Sequence, residues 1–187
     1  MTDLLLSDLL AARSQMAVSL AFHIVFASIG MGLPVLMVVS EWRWLRTRDD
    51  TYLRLTRAWA KGLAIFFAVG AVSGTVLSFE LGLLWPRFME VAGPLVGMPF
   101  SLEGFAFFTE AIFLGIYLYG WDRLSPWAHW WSGWPVAIGG AASAWFVVAA
   151  NAWMQTPQGF ELAGGAVVEV DPITAMLNPS TPVMTTH

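Results

Sequence analysis

Two carboxyl groups, Glu103 and Glu110, stand at the start of and within "SLEGFAFFTEAIFLGIYLYGWDRL", residues 101–124. From Phe105 to Gly120 the stretch is otherwise apolar enough to dissolve in lipid. Seven residues make two helical turns, so the acids share one face, about 10 Å apart along the axis. An ionised carboxylate at the bilayer centre costs on the order of 3 kcal/mol, and such groups usually face a protein interior and carry function. They could form two steps of a proton relay, or one could bind a metal or haem iron. The bland alternative is neutralisation by a neighbouring helix.

His23 is the only histidine well inside an apolar run. A neutral imidazole is a good ligand for haem iron; the rival role is a buried ring donating to a backbone carbonyl. Glu80, Glu103 and Asn151 fall near the same end of three other runs, so four runs bring a polar group to one depth. Ser143 has a depth comparable to Glu110. The chain contains no H-E-x-x-H, P-loop or G-x-S-x-G pattern, and "GGAAS" at residues 139–143 lacks a phosphate-loop pattern. His129 is expected in a loop beside Trp130, as an interfacial residue rather than a ligand. His187 is the last residue, and chemistry alone gives it no role.

The elements that must hold these groups follow from composition. Of 187 residues, 57% are hydrophobic and only 12% charged, about half the charge of a soluble domain. Lipid is the expected solvent. The net charge of −4 offers no polyanion-binding field and argues against nucleic acid, and the absence of cysteine excludes disulfides, thiolate metal sites and cysteine nucleophiles. Met1–Leu10 carries Asp3 and Asp8 without a basic leader, so the first apolar run is expected to be a retained anchor.

Four runs reach the roughly 20 residues a spanning helix needs: Gln15–Ser40, Gly62–Trp85, Pro99–Trp121 and Trp131–Trp153. Their length and lack of alternation argue against the strands of a barrel. The fold class is therefore an all-α integral membrane protein, four transmembrane helices in a bundle plus an extracytoplasmic tail. Residues 1–153 form the membrane region, and 154–187 an extracytoplasmic segment leading to a further helix absent from this chain. Arg43, Arg46, Arg48, Arg54, Arg57 and Lys61 crowd one connection and Arg123 another, against Arg13 and Arg87 on the other side. The positive-inside rule then puts both termini outside. Gly70 and Gly74 form a small-xxx-small pair that could mark a close helix contact, and Pro34 is expected to bend the first helix.

At these residues the chain resembles subunit I of cytochrome bd-type quinol oxidases, including the cyanide-insensitive branch. The matching stretches are "AFHIVFASIGMGLPVLM", "SGTVLSFELGLLWPRF", "FSLEGFAFFTEAIFLGIYLYGWDRL", "SAWFVVAANAWMQTP" and "LNPSTPVMTTH", in that order through nearly the whole chain. The resemblance implies a multi-pass protein of the bacterial inner membrane. It implies a terminal oxidase that oxidises quinol at the outer face, reduces O₂ to water and generates a proton-motive force. The cofactors implied are low-spin and high-spin haem b with haem d or a b-type replacement. The partners implied are subunit II, a small single-helix subunit, membrane lipid and quinol.

Carried over residue by residue, the resemblance makes His23 an axial ligand in the high-spin haem pair and His187 one of the low-spin haem. Glu103 is implied as a ligand or proton donor at the high-spin pair, and Glu110 and Ser143 as lining of the proton route. Arg13 is implied to hold haem or structure, and Asn151 and Trp153 to belong to the haem-lining shell. The seven-residue spacing of the two acids departs from branches with one residue more. Family members are more than twice as long, so a fragment inactive by itself is expected, lacking the low-spin haem's methionine ligand, the quinol loop and another high-spin ligand. The other readings are a proton-conducting transporter or channel module without haem, and a non-catalytic assembly remnant.

Overall fold

The computed structural model describes residues 2–164 and 166–187, with side chains from residue 7 onward except that of Ala166. Four long helices dominate: α1 (Thr2–Thr47), α2 (Asp50–Leu84), α3 (Pro86–Tyr119) and α4 (Pro126–Gln155). Each is long and apolar enough to cross a membrane. The all-α class and the four expected spans are thus present, and every helix begins before its apolar run. At 1.5 Å per residue the 46 residues of α1 extend about 69 Å, more than twice a hydrocarbon core.

The connections are short. Only Arg48, with positive φ, and Asp49 separate α1 from α2, so Arg43, Arg46, Arg54 and Arg57 ride on helical extensions instead of a loop. Asp49 caps α2 by accepting from the Thr51 amide at 2.8 Å, and that bond holds its carboxyl below the usual range. Trp85 alone links α2 to α3, and Pro86 starts α3 where its missing N–H is not needed. Ser125 caps α4 by accepting from the Ala128 amide. Pro34 is buried within a continuous α1.

Contacts pair α1 with α2 and α3 with α4, and α1 also lies along α4. Glycines permit the closest of these approaches. A Cβ on Gly133 would come within 3.0 Å of both Tyr117 and Val38, and one on Gly139 within 3.0 Å of the Ala106 carbonyl oxygen. Of the Gly70/Gly74 pair only Gly74 meets a neighbour, the His23 ring.

The segment after α4 is more ordered than its composition suggests. It forms a hairpin, β1 (Glu161–Ala163) antiparallel to β2 (Ala166–Val168), then α5 (Pro172–Met176) and α6 (Thr181–Thr186). Ala175 of α5 buries with Ala92, Leu95, Val96, Ala150 and Trp153, so the tail docks on one end of α3 and α4. A second apolar cluster, around Met37, Leu63, Leu114 and Val136, fills the bundle toward the opposite, basic end. Outside these clusters Phe79, Leu83, Phe105 and Phe108 remain 65–76% exposed, which in water would be a liability but in lipid or against other chains is not.

Candidate functional site

Helix periodicity places Gln15, Ser19 and His23 on one face of α1, at intervals of four. That face meets Ser73 and Glu80, two turns apart on α2. Gln15 Nε2 and the Ser19 hydroxyl donate to Glu80 Oε1 at 3.1 and 2.7 Å. Glu80 Oε2 is buried and has no partner among the described residues. Glu80 is only 6% exposed, so it is a buried acid rather than the wet interfacial group its position near the end of a span suggests.

His23 Nδ1 lies 2.9 Å from Ser73 Oγ. The Ser73 hydroxyl donates back to the Val69 carbonyl at 2.8 Å, so it accepts from Nδ1–H. This network assigns the ring lone pair to Nε2, the nitrogen free to bind a metal, with Nδ1 held by an outer partner. A Cβ on Gly74 would lie 3.1 Å from His23 Cε1, so glycine there gives the imidazole its room. The donor chemistry fits an iron porphyrin with one neutral imidazole from this chain. Among the described residues no group of three or more His, Asp or Glu is gathered for a bare metal ion.

On α3, Glu103, Glu110 and Tyr117 recur every seven residues and form one stripe. Glu103 is half-buried. Glu110 is 6% exposed and none of the described residues hydrogen-bonds it. It sits in a notch of α4: a Cβ on Gly139 would meet Glu110 Cβ at 3.0 Å, and one on Gly140 would meet Oε1 at 3.4 Å. The "GG" of "GGAAS" thus makes space for a carboxyl group. Ser143 is one turn further along α4 and half-buried.

His129 corrects the sequence reading. It lies in the first turn of α4, 2% exposed, and not in a loop at the interface. Its Nδ1 is 2.7 Å from Glu41 Oε1, and its Nε2–H donates to the Tyr117 carbonyl at 2.8 Å. The Tyr117 hydroxyl donates to Glu41 Oε2 at 2.6 Å. Glu41 and Tyr117 are both fully buried. Trp121 covers the imidazole at 3.9 Å between ring centroids, and Arg57 lies over Trp121. The hint in the sequence is Glu41, which directly follows a charge-free run and so begins at membrane depth.

The remaining expected residues scatter. Arg13, Asn151 and His187 are exposed. Trp153 is buried and donates its indole N–H to the Gln158 carbonyl at 3.0 Å, pinning the tail. The structure therefore brings His23 with Ser73, Glu80 with Gln15 and Ser19, and Glu110 with the α4 glycines. No hydrogen bond or ion pair among the described residues joins His23 to Glu103.

Comparison with known proteins matches this arrangement to one family. The sequence profile described as cytochrome bd terminal oxidase subunit I covers residues 11–187. The chain is 41% identical over 175 residues to the cytochrome bd menaquinol oxidase subunit I assigned in Bacillus subtilis (strain 168), across 94% of this chain and 40% of that protein. It is 34% identical over 149 residues to the cytochrome bd-II ubiquinol oxidase subunit 1 of Escherichia coli (strain K12), across 79% of this chain and 29% of that protein. The solved bd oxidase from Geobacillus thermodenitrificans superposes with a TM-score of 0.92 and 46% identity, over 95% of this chain and 41% of that one. The chain thus spans about 29–41% of the length of these relatives. Carrying the family's profile from residue 11 to its last residue on four apolar helices, the chain belongs to the cytochrome bd terminal oxidase subunit I family.

Proposed function

We propose that this chain is the haem-binding, proton-delivering part of a quinol oxidase that reduces O₂ to water in a bacterial inner membrane. The observation that carries the reading is His23, whose Nδ1 is tied to Ser73 so that Nε2 is the available ligand. Haem, when bound, supplies the redox-active iron for electron transfer and O₂ reduction. His23 would hold a high-spin haem, with Glu103 beside it as ligand or proton donor. His187 would hold the low-spin haem. Arg13, Asn151 and Trp153 would contribute the surrounding shell, although Trp153 already has its N–H engaged by Gln158.

The chain's own task is proton handling. Each O₂ reduced takes up four protons with four electrons, and an electron entering a low-dielectric site is stabilised by an accompanying proton. Glu110, buried without a donor to hold negative charge, is suited to carry a proton and pass it through intervening water toward Glu103, two turns away along α3. Ser143 on α4 would line the same route. The basic end would face the cytoplasm, residues 1–153 would form the membrane region and residues 154–187 would lie outside. Quinol, subunit II and a small single-helix subunit would complete the complex.

A reduced-minus-oxidised visible spectrum of the protein purified with its associated chains tests this. Haem bands are expected, with the high-spin component lost in His23→Ala. Glu110→Gln should keep the bands while quinol-driven O₂ consumption falls by about 10²-fold or more, as for removal of a general acid–base group. Absence of haem together with proton flux abolished by Glu110→Gln would replace the oxidase by a proton-conducting module.

A further inference from the structure

A cleft of about 600 Å³ opens at the basic end, between α2 and the link from α3 to α4. Arg57 and Lys61 of α2 line one side, one helical turn apart and so on one face. Tyr119, Trp121, Asp122 and Arg123 line the other. Three cations thus face a single acid. Among the described residues no carboxylate forms an ion pair with Arg57, Lys61 or Arg123. Arg57 is held 4.9 Å over the Trp121 ring, which fixes the guanidinium at the cleft wall. All three cations are exposed, so water screens their mutual repulsion, and together they present a positive field that attracts an anion to the cleft.

The level of the cleft identifies the anion. The apolar run of α2 begins at Gly62, just past Lys61, and that of α3 closes at Trp121. The cleft therefore lies where hydrocarbon gives way to headgroups, and Trp and Tyr beside it are the residues that favour this level. Ala60 and Leu118 give it an apolar side as well. We propose that the cleft binds the phosphodiester headgroup of an anionic phospholipid. Arg57 and Arg123 offer paired N–H donors to the phosphate oxygens, Lys61 adds a point charge, and the acyl chains leave along the apolar side. Inorganic phosphate shares the charge but has no use for that apolar side.

The test uses the protein extracted with its associated chains, stripped of lipid in mild detergent. Phosphatidylglycerol, phosphatidylcholine and inorganic phosphate are each added, and bound species are counted by native mass spectrometry. Phosphatidylglycerol should be retained in preference to phosphatidylcholine. Arg57→Gln, Lys61→Gln and Arg123→Gln should each weaken that retention about fivefold, the effect of one basic residue at a membrane surface. Asp122→Asn should strengthen it, a gain that misfolding does not produce. Equal retention of the two lipids, indifference to all four substitutions, or full displacement of phosphatidylglycerol by inorganic phosphate would each overturn the proposal. All of these readouts are independent of haem and of O₂ consumption.

Discussion

At the basic end, Glu41, Tyr117 and His129 meet donors and acceptors one for one. Away from that end, Glu80 keeps one buried oxygen unpartnered and Glu110, at mid-span, has no hydrogen bond among the described residues. Both sets are buried in the same bundle and both contain carboxyl groups. A fully satisfied network rigidifies and specifies its surroundings, and here it ties α1, α3 and α4 together. An unsatisfied buried acid weakens the fold, so its presence points to a proton, a ligand or another chain that completes it. Burial alone therefore does not mark the working groups of this chain; unmet hydrogen-bonding capacity does.

The largest expected effect tests the satisfied end. Glu41→Ala or His129→Ala leaves the other partner stranded in the interior, which should cost about 3–5 kcal/mol. Thermal denaturation in detergent reads this, and a neutral result would erase the contrast. Next comes the notch around Glu110. Gly139→Leu forces α3 from α4 at the Ala106 carbonyl and should cost about 1–3 kcal/mol as overpacking, measured the same way.

Ser73→Ala removes one hydrogen bond from His23 and should cost about 1 kcal/mol; a much larger loss would mean His23 is structural. Glu110→Met replaces an unpartnered acid by an apolar side chain and should leave stability unchanged or slightly raised, unlike either substitution in the triad. If it destabilises as much as Glu41→Ala, the two acids are equivalent and the comparison fails.

The smallest effect lies in the segment after α4. Asp171 accepts from the Thr174 hydroxyl and from the Thr174 and Ile173 amides, and these bonds lower its pKa. A depressed carboxyl contributes stability above its unfolded pKa and loses it as pH falls through the folded value. Amide protection factors, which are corrected for the intrinsic pH dependence of exchange, should therefore fall for residues 170–177 in that acid range, and Asp171→Asn should remove that fall.

Much of this was readable from the chain. Length and polarity delimit four spans, and a spacing of seven puts Glu103 and Glu110 on one face because a helix turns every 3.6 residues. His23 stood out because an imidazole is rare in such a run. The triad was not readable. Glu41 and His129 lie 88 residues apart in sequence, each at a span end where exposure is the ordinary expectation, and only the alignment of α1 with α4 makes them neighbours. Nor does "GG" announce what it accommodates, since glycine is common in membrane helices for many reasons. The docking of Trp153 and Ala175 likewise depends on a chain reversal after α4 that short polar segments do not signal.

The block of Met37, Leu63, Leu114 and Val136 lies along its helices between the triad and the level of Glu110. Such a layer polarises little, so across an energised membrane much of the voltage drop should fall within it. Moving one elementary charge through the whole drop exchanges about 2.3 kcal/mol per 100 mV with the membrane. The most ordinary side chains of the bundle would thereby act as its insulator.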